Sequence, residues 1–261
     1  MDAQQISGLA DRIVEGRRSR KPMDIAEATS GLSEADAYKV QFAVHDKMAA
    51  LGDPIAGWKV ALTLPAMYEP LKLSGPVFAG VYKSGLRQSG AVFEKGWPLK
   101  PGIEPELVAR IGKDAAPGTT YTAESIRDHV ANLYCGMELV DNRYADVSKM
   151  SGPARIADNV LQAALVVGTE IKDWKKLDFA GVKGRSLLDD KELASGSGTA
   201  VMGSALISLA WLASRLIAHG RHLKAGDLVL TGSVHPPAFL AGPGMAKTEF
   251  DGLGTTQIAI K

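Results

Sequence analysis

Cysteine is almost absent from this sequence: Cys135 is the one cysteine among 261 residues. A single thiol excludes an intramolecular disulfide and, with it, the small disulfide-stapled folds of secreted proteins. Tyr134 and Met137 stand close to it, and no histidine or asparagine occurs nearby in an arrangement typical of a catalytic thiol. The sequence therefore predicts a buried cysteine in a protein of a reducing compartment, and we expect a cytoplasmic location.

An excess of charge of either sign is also missing. Thirty lysines and arginines stand against 29 aspartates and glutamates, which gives a formal net charge of +1. The one basic cluster, Arg17–Lys21, follows a predicted helix, and we interpret it as the solvated end of that helix. Nothing resembles a basic stripe that follows phosphates, so no nucleic-acid partner is expected.

Long apolar runs are a third absence. No segment approaches the roughly 18 consecutive apolar residues that a membrane-spanning helix needs. Residues 1–16 predict the start of an amphipathic helix and lack the charged-then-apolar pattern of a signal peptide. We therefore expect a soluble protein with no membrane partner.

Helical periodicity is concentrated at the start of the chain. Residues 3–18 and 33–50 place apolar side chains at helical spacing, and a further helix is predicted over 203–220. Elsewhere, short strands alternate with glycine and proline turns. The pattern predicts an α+β fold with a smaller helical N-terminal lobe over 1–85 and a β-rich, metal-binding catalytic domain over 86–261. The expected strands cover 55–63, 88–94, 102–111, 132–143, 164–168, 182–188, 191–196, 227–232, 246–250 and 255–260, and a short helix is expected over 65–72.

Three glutamates occur inside apolar, strand-like runs. Glu104 and Glu106 are two positions apart in KPGIEPELVARI, so a strand sends both side chains to the same face. Glu138 stands in a second such run, ANLYCGMELVDNRY. A buried carboxylate is costly unless a positive charge lies beside it. The sequence thus predicts a positive group between these glutamates.

Two interpretations of that positive group remain open from spacing alone. In the first, each glutamate pairs with an arginine, such as Arg110 or Arg143. In the second, all three bind one divalent ion. Oxygen ligands without cysteine or an obligatory histidine favour a hard ion, Mg²⁺ or Mn²⁺, over zinc.

Six motifs that follow one another along the chain point to a known family. They are GWKVALT at 57–63, GIEPEL at 102–107, MELVDNRY at 137–144, ADN at 157–159, SGSG at 195–198 and GDLVLTGS at 226–233. Together they resemble the fumarylacetoacetate hydrolase superfamily, in particular its branch of 2-hydroxypenta-2,4-dienoate hydratases and 4-oxalocrotonate decarboxylases. The resemblance implies that family's mixed β-roll and sandwich domain.

The resemblance also implies a set of site residues. Three glutamates hold Mg²⁺ or Mn²⁺ in the family, which implies Glu104, Glu106 and Glu138 as the metal ligands here. Lys59 matches the lysine that is implied to touch the substrate carboxylate or the metal-bound water, and we expect it to be catalytic. The other expected substrate contacts are Asn142, Arg143, Thr231 and Ser233.

Three positions depart from the hydratase pattern that the resemblance implies. Val77 stands where hydratases of this branch carry an aspartate, and Leu161 stands where they carry a serine. The turn LTGSVHPP introduces His235, and two following prolines constrain its loop. We expect His235 to be a catalytic base beside the metal, with a surface histidine at a turn as the alternative.

These departures lead to a prediction of function. The leading prediction is a Mg²⁺- or Mn²⁺-dependent hydrolase that cleaves a C–C bond of an acylpyruvate-type 2,4-dioxo acid, such as maleylpyruvate or fumarylpyruvate, to pyruvate and a carboxylic acid. The alternative is a hydratase or decarboxylase of aromatic meta-cleavage catabolism, since all three reactions pass through an enolate that a metal stabilises. A non-catalytic subunit that partners an active paralogue is a third interpretation.

The expected partner is a small-molecule 2-oxo acid, and the family resemblance implies a homo-oligomer. Four other histidines carry no motif. His45 and His219 fall on predicted helices and are expected to face solvent or cap a terminus, whereas His129 and His222 lie beside strands.

Overall fold

Two curled β-sheets form the centre of the molecule, and helices cover part of the larger one. The computed structural model describes residues 1–261. The helices are α1 (Ala3–Ser19), α2 (Glu34–Ala50), α3 (Tyr68–Leu71), α4 (Ala123–Arg127), α5 (Gly152–Ala157) and α6 (Ala205–Ala218). The strands are β1 (Ile55–Ala61), β2 (Val77–Tyr82), β3 (Leu86–Gln88), β4 (Ala91–Phe93), β5 (Pro101–Ile111), β6 (Val130–Asp141), β7 (Gln162–Glu170), β8 (Lys183–Leu188), β9 (Lys191–Ser197), β10 (Leu228–Ser233), β11 (Ala238–Phe239), β12 (Gly244–Phe250) and β13 (Gly254–Ile260). This is the predicted α+β fold.

The larger sheet has eight strands, in the order β2–β1–β10–β5–β6–β7–β3, with β11 beside β5. Its centre is the long antiparallel pair β5 and β6, whereas β1 and β10 are parallel. The smaller sheet has five strands in the order β4–β13–β12–β8–β9. The two predicted strands β8 and β9 form a hairpin whose turn residues, Asp189 and Asp190, are both left-handed, which is typical of a two-residue hairpin turn.

The core lies in two layers. Between the sheets, apolar side chains of β5 and β6, such as Ile103 and Met137, pack with Ile258 of β13. On the other side of the larger sheet, α1 packs on α2, α2 on α5, and α6 on β10 and β1. Cys135 of β6 is buried as predicted, and burial raises the pKa of its thiol to about 12. That thiol is therefore uncharged and inert at neutral pH.

The predicted helix starts are confirmed by their caps. Asp2 and Gln5 form a reciprocal capping box at the start of α1. The Ser33 hydroxyl accepts a hydrogen bond from the Asp36 amide at the start of α2, and Ser204 caps α6 in the same manner.

The prediction of one strand over 88–94 was wrong. Gly90 has a φ of +94° and turns the chain there, so that β3 joins the larger sheet and β4 the smaller one. The short helices α4 and α5 had no sequence signal, and β2 was not assigned as a strand. Each of these elements is short or fully buried, where periodicity carries little information.

The predicted division at residue 85 stays a prediction, with one finding that bears on its first part. Two strands of the segment 1–85, β1 and β2, lie in the same sheet as β5, β6 and β10. The N-terminal segment is therefore not only helical. Its strand β1 pairs with β10 of the predicted catalytic domain, and β2 pairs with β1 at the edge of the sheet.

The interpretation of Arg17 as a solvated residue was wrong. Its side chain is 9% exposed and lies 3.3 Å from a carboxylate oxygen of Asp158. The reason is tertiary: α1 lies against the segment that follows α5, and the fold supplies a buried acidic partner far away in sequence.

One segment, Gly198–Ala218, is long and apolar enough to cross a membrane by composition, and half of its most apolar window is buried inside the fold. Its α6 part packs on β10 and on α4. A buried core helix has the same composition, so this segment alone is weak evidence for a membrane span.

Candidate metal centre

The three predicted glutamates meet on adjacent strands. Glu104 of β5 lies directly opposite Glu138 of β6, and Glu106 is two positions further along β5. One carboxylate oxygen from each lies within 4.8 Å of the others. Glu106 and Glu138 are each 1% exposed. The predicted clustering on one face is therefore confirmed.

These carboxylates are electrostatically incompatible unless a cation lies between them. Burial and, to a lesser extent, the charge of Glu138 together raise the pKa of Glu104 to about 8. Burial and the two neighbouring carboxylates hold the pKa of Glu106 well above its usual value. Burial also raises the pKa of Glu138. Like charges on directly opposite strand positions destabilise a sheet, so the cluster favours a bound positive ion.

Lys59 supplies one positive charge to the cluster. It stands on β1, is 1% exposed, and its ammonium lies 2.6 Å from Glu138 Oε1 and 2.7 Å from the Val160 carbonyl oxygen. An ammonium has three N–H donors, so one remains for a ligand in the cavity that Lys59 lines.

The charges of the cluster match a divalent cation. Three ionised glutamates and one ammonium sum to two negative charges, which one Mg²⁺ or Mn²⁺ neutralises. The alternative in which each glutamate pairs with an arginine was wrong, because Arg110 is exposed and Arg143 pairs with Asp158 at 3.0 Å. The donor set of three carboxylates thus fits a hard divalent ion.

A cavity opens onto the carboxylates. Its polar lining comes from the three glutamates, Lys59, Thr63, Arg155, Ser233 and His235. The rest is largely apolar and includes Leu62, Leu64, Met67, Val140, Leu161 and Pro236. A small organic anion with an apolar body fits such a lining.

His235 lies in this cavity and not on the surface. It is 5% exposed, and its Nδ1 lies 2.6 Å from the Pro236 carbonyl oxygen. A carbonyl only accepts, so Nδ1 carries the proton and Nε2 keeps a lone pair. Nε2 is buried and has no hydrogen-bond partner in the protein, and burial lowers the pKa of His235. His235 therefore has the form of a neutral base.

Besides Lys59, four residues were predicted to contact the substrate, and the structure places one of these four in the cavity. Ser233 lines it, although its hydroxyl donates to the His235 carbonyl at 2.6 Å. Thr231 of β10 is buried, and its hydroxyl donates to the Leu107 carbonyl at 2.9 Å.

Asn142 and Arg143 directly follow the end of β6. Asn142 lines a different cavity, beside Lys100 and Phe239. Arg143 is buried in its ion pair with Asp158. Neither lines the cavity at the carboxylates, because β6 carries them beyond it.

The two aliphatic replacements have different positions. Leu161 lines the cavity, whereas Val77 is fully buried at the start of β2 and does not. The absence of an aspartate at position 77 therefore removes no cavity-lining group from this chain.

Sequence reasoning missed Arg155 and misjudged His45. Arg155 lines the cavity, and no carboxylate forms an ion pair with it. Its Nε and Nη2 donate to the carbonyls of Met150 and Val147. His45 is 2% exposed and bonded to Asn159 at 2.8 Å, not solvated. The positions of Arg155 and His45 depend on contacts with residues that no local sequence motif predicts. His219, by contrast, is the C-cap residue of α6, as expected.

The α+β fold and the buried carboxylate cluster indicate a divalent-metal enzyme, and comparison with known proteins identifies its family. The model of the fumarylacetoacetate hydrolase C-terminal domain matches residues 76–261. The chain belongs to the fumarylacetoacetate hydrolase family.

Two curated relatives match almost end to end. A 2-keto-4-pentenoate hydratase of Paraburkholderia phymatum is 29% identical over 98% of this chain and 97% of its own length. A 4-oxalocrotonate decarboxylase of Pseudomonas putida is 24% identical over 98% of this chain and 96% of its own length.

Two solved structures show the same fold. The 4-oxalocrotonate decarboxylase from Pseudomonas putida G7, complexed with magnesium and adipate, superposes with a TM-score of 0.92 at 22% identity, over 100% of this chain and 99% of that chain. Fumarylpyruvate hydrolase from Pseudomonas aeruginosa, complexed with Mn²⁺ and pyruvate, gives 0.59 at 17% identity, over 80% of this chain and 90% of that chain. The predicted fold is confirmed by both.

Proposed function

We propose that this protein is a divalent-metal-dependent lyase of 2-oxo acids, and specifically a hydratase that adds water to a 2-hydroxy-2,4-dienoate. The observation that supports it most is the end-to-end match with 2-keto-4-pentenoate hydratase. That match includes α1 and α2, which lie outside the matched domain at 76–261. The match supports the hydratase or decarboxylase reaction, which was the alternative prediction from the sequence, better than acylpyruvate hydrolysis.

Glu104, Glu106 and Glu138 would hold Mg²⁺ or Mn²⁺. A cation bound there would supply Lewis-acid chemistry, because it attracts the negative charge that develops on the 2-oxo oxygen of a bound 2-oxo acid. The charge count of the cluster and the shared 4.8 Å limit of its oxygens support this assignment.

Lys59 would orient the acid. Two of its N–H bonds are directed to Glu138 and to Val160, and the third donates to the carboxylate of the bound ligand. A charge-assisted hydrogen bond of this kind is short and strong in a site of low polarity. It fixes the direction in which the dienoate chain extends.

His235 would move the protons of the reaction. Its Nε2 has no hydrogen-bond partner in the protein, so it would accept a proton from the water whose oxygen bonds to C4 of the substrate and deliver that proton to C3. The proton of the 2-hydroxyl group passes to C5 as the 2-oxo group forms. The lack of a polar side chain at Leu161 is then compensated from another loop. The apolar lining around it keeps bulk water away from the dienoate.

Decarboxylation is the second candidate, and Arg155 favours it. A cavity-lining guanidinium without a carboxylate partner suits a ligand with a second carboxylate. Burial lowers the pKa of Arg155, which remains a cation at any physiological pH. Acylpyruvate hydrolysis receives less support, since fumarylpyruvate hydrolase superposes over a smaller part of this chain.

Product analysis separates these reactions. The Mn²⁺-loaded protein is incubated with 2-hydroxypenta-2,4-dienoate, with 4-oxalocrotonate and with fumarylpyruvate, and each reaction is followed by proton NMR; a Glu106→Gln variant is the matched control. The proposal predicts 4-hydroxy-2-oxopentanoate from the first compound. Conversion of the second compound alone to 2-hydroxypenta-2,4-dienoate, with loss of carbon dioxide, would establish the decarboxylase. Pyruvate plus fumarate from the third alone would overturn the lyase proposal.

A further inference from the structure

The turn that follows α5 has an unusual backbone. Asn159, Val160 and Leu161 all have positive φ, at 63°, 50° and 61°. Left-handed geometry is common for asparagine but unfavourable for branched, bulky residues such as valine and leucine. Even so, this turn contributes two side chains to the cavity and the carbonyl that accepts from Lys59. The surrounding structure must therefore hold it in place.

The Asn159 side chain is held from two elements. Its Oδ1 accepts from the Gly80 amide at 2.9 Å, and its Nδ2 donates to the Gly80 carbonyl at 2.6 Å. His45 Nε2 lies 2.8 Å from the same Oδ1. Because that oxygen only accepts, His45 donates through Nε2–H. Asn159 is 0% exposed, so these bonds do not compete with water.

Arg17 holds the two ends of the same turn. Its Nη1 donates to the Asp158 carbonyl at 3.2 Å, and its Nη2 donates to the Gln162 carbonyl at 3.0 Å. One guanidinium of α1 thus bridges the residue before the turn and the residue after it. Together with His45 of α2, it ties the strained segment to the two N-terminal helices.

We infer that Arg17, His45 and Asn159 are positioning residues for Lys59. They fix the left-handed turn so that the Val160 carbonyl and Glu138 occupy two N–H bonds of the Lys59 ammonium and leave the third directed into the cavity. The N-terminal helices thereby act on the site although they lie outside residues 76–261. This inference rests on the proposed function, in which Lys59 donates to the bound acid.

Two variants and a rescue test the inference. Asn159→Gly removes the side-chain bonds but tolerates the positive φ, and His45→Leu removes the donor from α2. His45→Gln keeps a donor of similar reach. Asp190→Gly is the control for the first, since Asp190 also has a φ of 63° but stands in an exposed hairpin. His219→Leu is the control for the second, since both histidines pack on Phe42.

Two measurements at a temperature below all unfolding transitions distinguish positioning from simple stability. The first is the affinity of the Mn²⁺-loaded protein for oxalate, with the affinity for Mn²⁺ itself measured in parallel. The second is the rate at which acetic anhydride modifies Lys59, with exposed Lys175 as the internal reference, which needs neither metal nor turnover.

We expect Asn159→Gly and His45→Leu to weaken oxalate binding about tenfold, the loss of one hydrogen bond to a charged group, with unchanged Mn²⁺ affinity. Lys59 should become modified faster in both, and His45→Gln should restore the wild-type values. If both variants bind oxalate and resist modification as the controls do, the inference is wrong, even if they melt earlier. If the wild type binds no Mn²⁺ or turns over no 2-oxo acid, the proposed function fails, while Lys59 modification still decides on the positioning role.

Discussion

At the scale of single residues, burial determines the chemistry of the site. Lys59, Glu106 and Glu138 are each 1% exposed and His235 is 5% exposed. In water, these side chains would keep their usual pKa values and interact only weakly with one another. Out of water, the three carboxylates need a cation, and the neutral imidazole keeps a lone pair that no protein donor uses.

His235→Ala should lower kcat of the lyase reaction by about 100-fold, because general acid–base catalysis is typically worth that much or more. Metal affinity should not change, since His235 is not among the clustered ligands. His222→Ala, a change at a histidine remote from the cavity, is the matched control. Turnover within a factor of about two of wild type would return His235 to a structural role.

His45 should make the protein less stable as the pH falls. Burial, partly offset by the hydrogen bond with Asn159 and assisted by the charges of Arg221 and Arg17, lowers its pKa from 6.5 to about 3. Between these two values the unfolded chain binds a proton that the folded chain does not, so the free energy of unfolding decreases with decreasing pH.

Urea unfolding at pH 7 and pH 5 measures this effect. We expect the free energy of unfolding of the wild type to fall by about 2 kcal/mol more than that of His45→Gln between those pH values. Equal losses in the two proteins would mean that His45 is protonated in the fold.

Single residues were predictable from the sequence where a local pattern fixed their direction. The spacing of Glu104 and Glu106 sends both to one face of a strand, and β5 places them as expected. His45 and Arg17 were misjudged because their partners, Asn159 and Asp158, are 114 and 141 positions away in sequence. No helical period contains that information.

At the scale of elements, the parallel pair β1 and β10 positions Lys59. Gly57 and Lys59 both stand in the register of this pair, opposite Leu228 and Leu230. A Cβ built at Gly57 would lie 2.4 Å from the Leu228 carbonyl oxygen. Glycine at position 57 therefore permits the close approach of the strand that carries the lysine.

Gly57→Ala should separate β1 from β10 and lower the free energy of unfolding by about 1–3 kcal/mol, the usual cost of overpacking. Displacement of Lys59 should also weaken ligand binding. Gly75→Ala is the control, since nothing lies within 4 Å of a Cβ built there. Equal urea midpoints for the two variants would show that the strands can move apart without cost.

The elements that sequence patterns predicted are those long enough to show a period. The helices α1, α2 and α6 and the strands β5 and β6 were found, with boundaries shifted by a few residues. The turn between β3 and β4 was not predicted. The residues of both strands form one strand-like pattern in the sequence, which only Gly90 interrupts. Their assignment to different sheets depends on long-range pairing.

At the scale of the whole molecule, the N-terminal helices are part of the enzyme and not an appendage. The family domain spans 76–261, yet Arg17 and His45 reach the turn beside the cavity. A homo-oligomer, a cytoplasmic location and the absence of nucleic-acid or membrane partners stay predictions from the sequence.

Mn²⁺ titration followed by electron paramagnetic resonance tests most directly whether the three glutamates form one divalent-metal site. We predict one tightly bound Mn²⁺ per chain, lost in Glu106→Gln and kept in Glu249→Gln, a change at a glutamate of the smaller sheet. Because burial raises the pKa of Glu104 to about 8, Mn²⁺ must displace protons, and its affinity should rise between about pH 6 and 8. Equal Mn²⁺ binding by the wild type and Glu106→Gln, or none by either, would contradict the account.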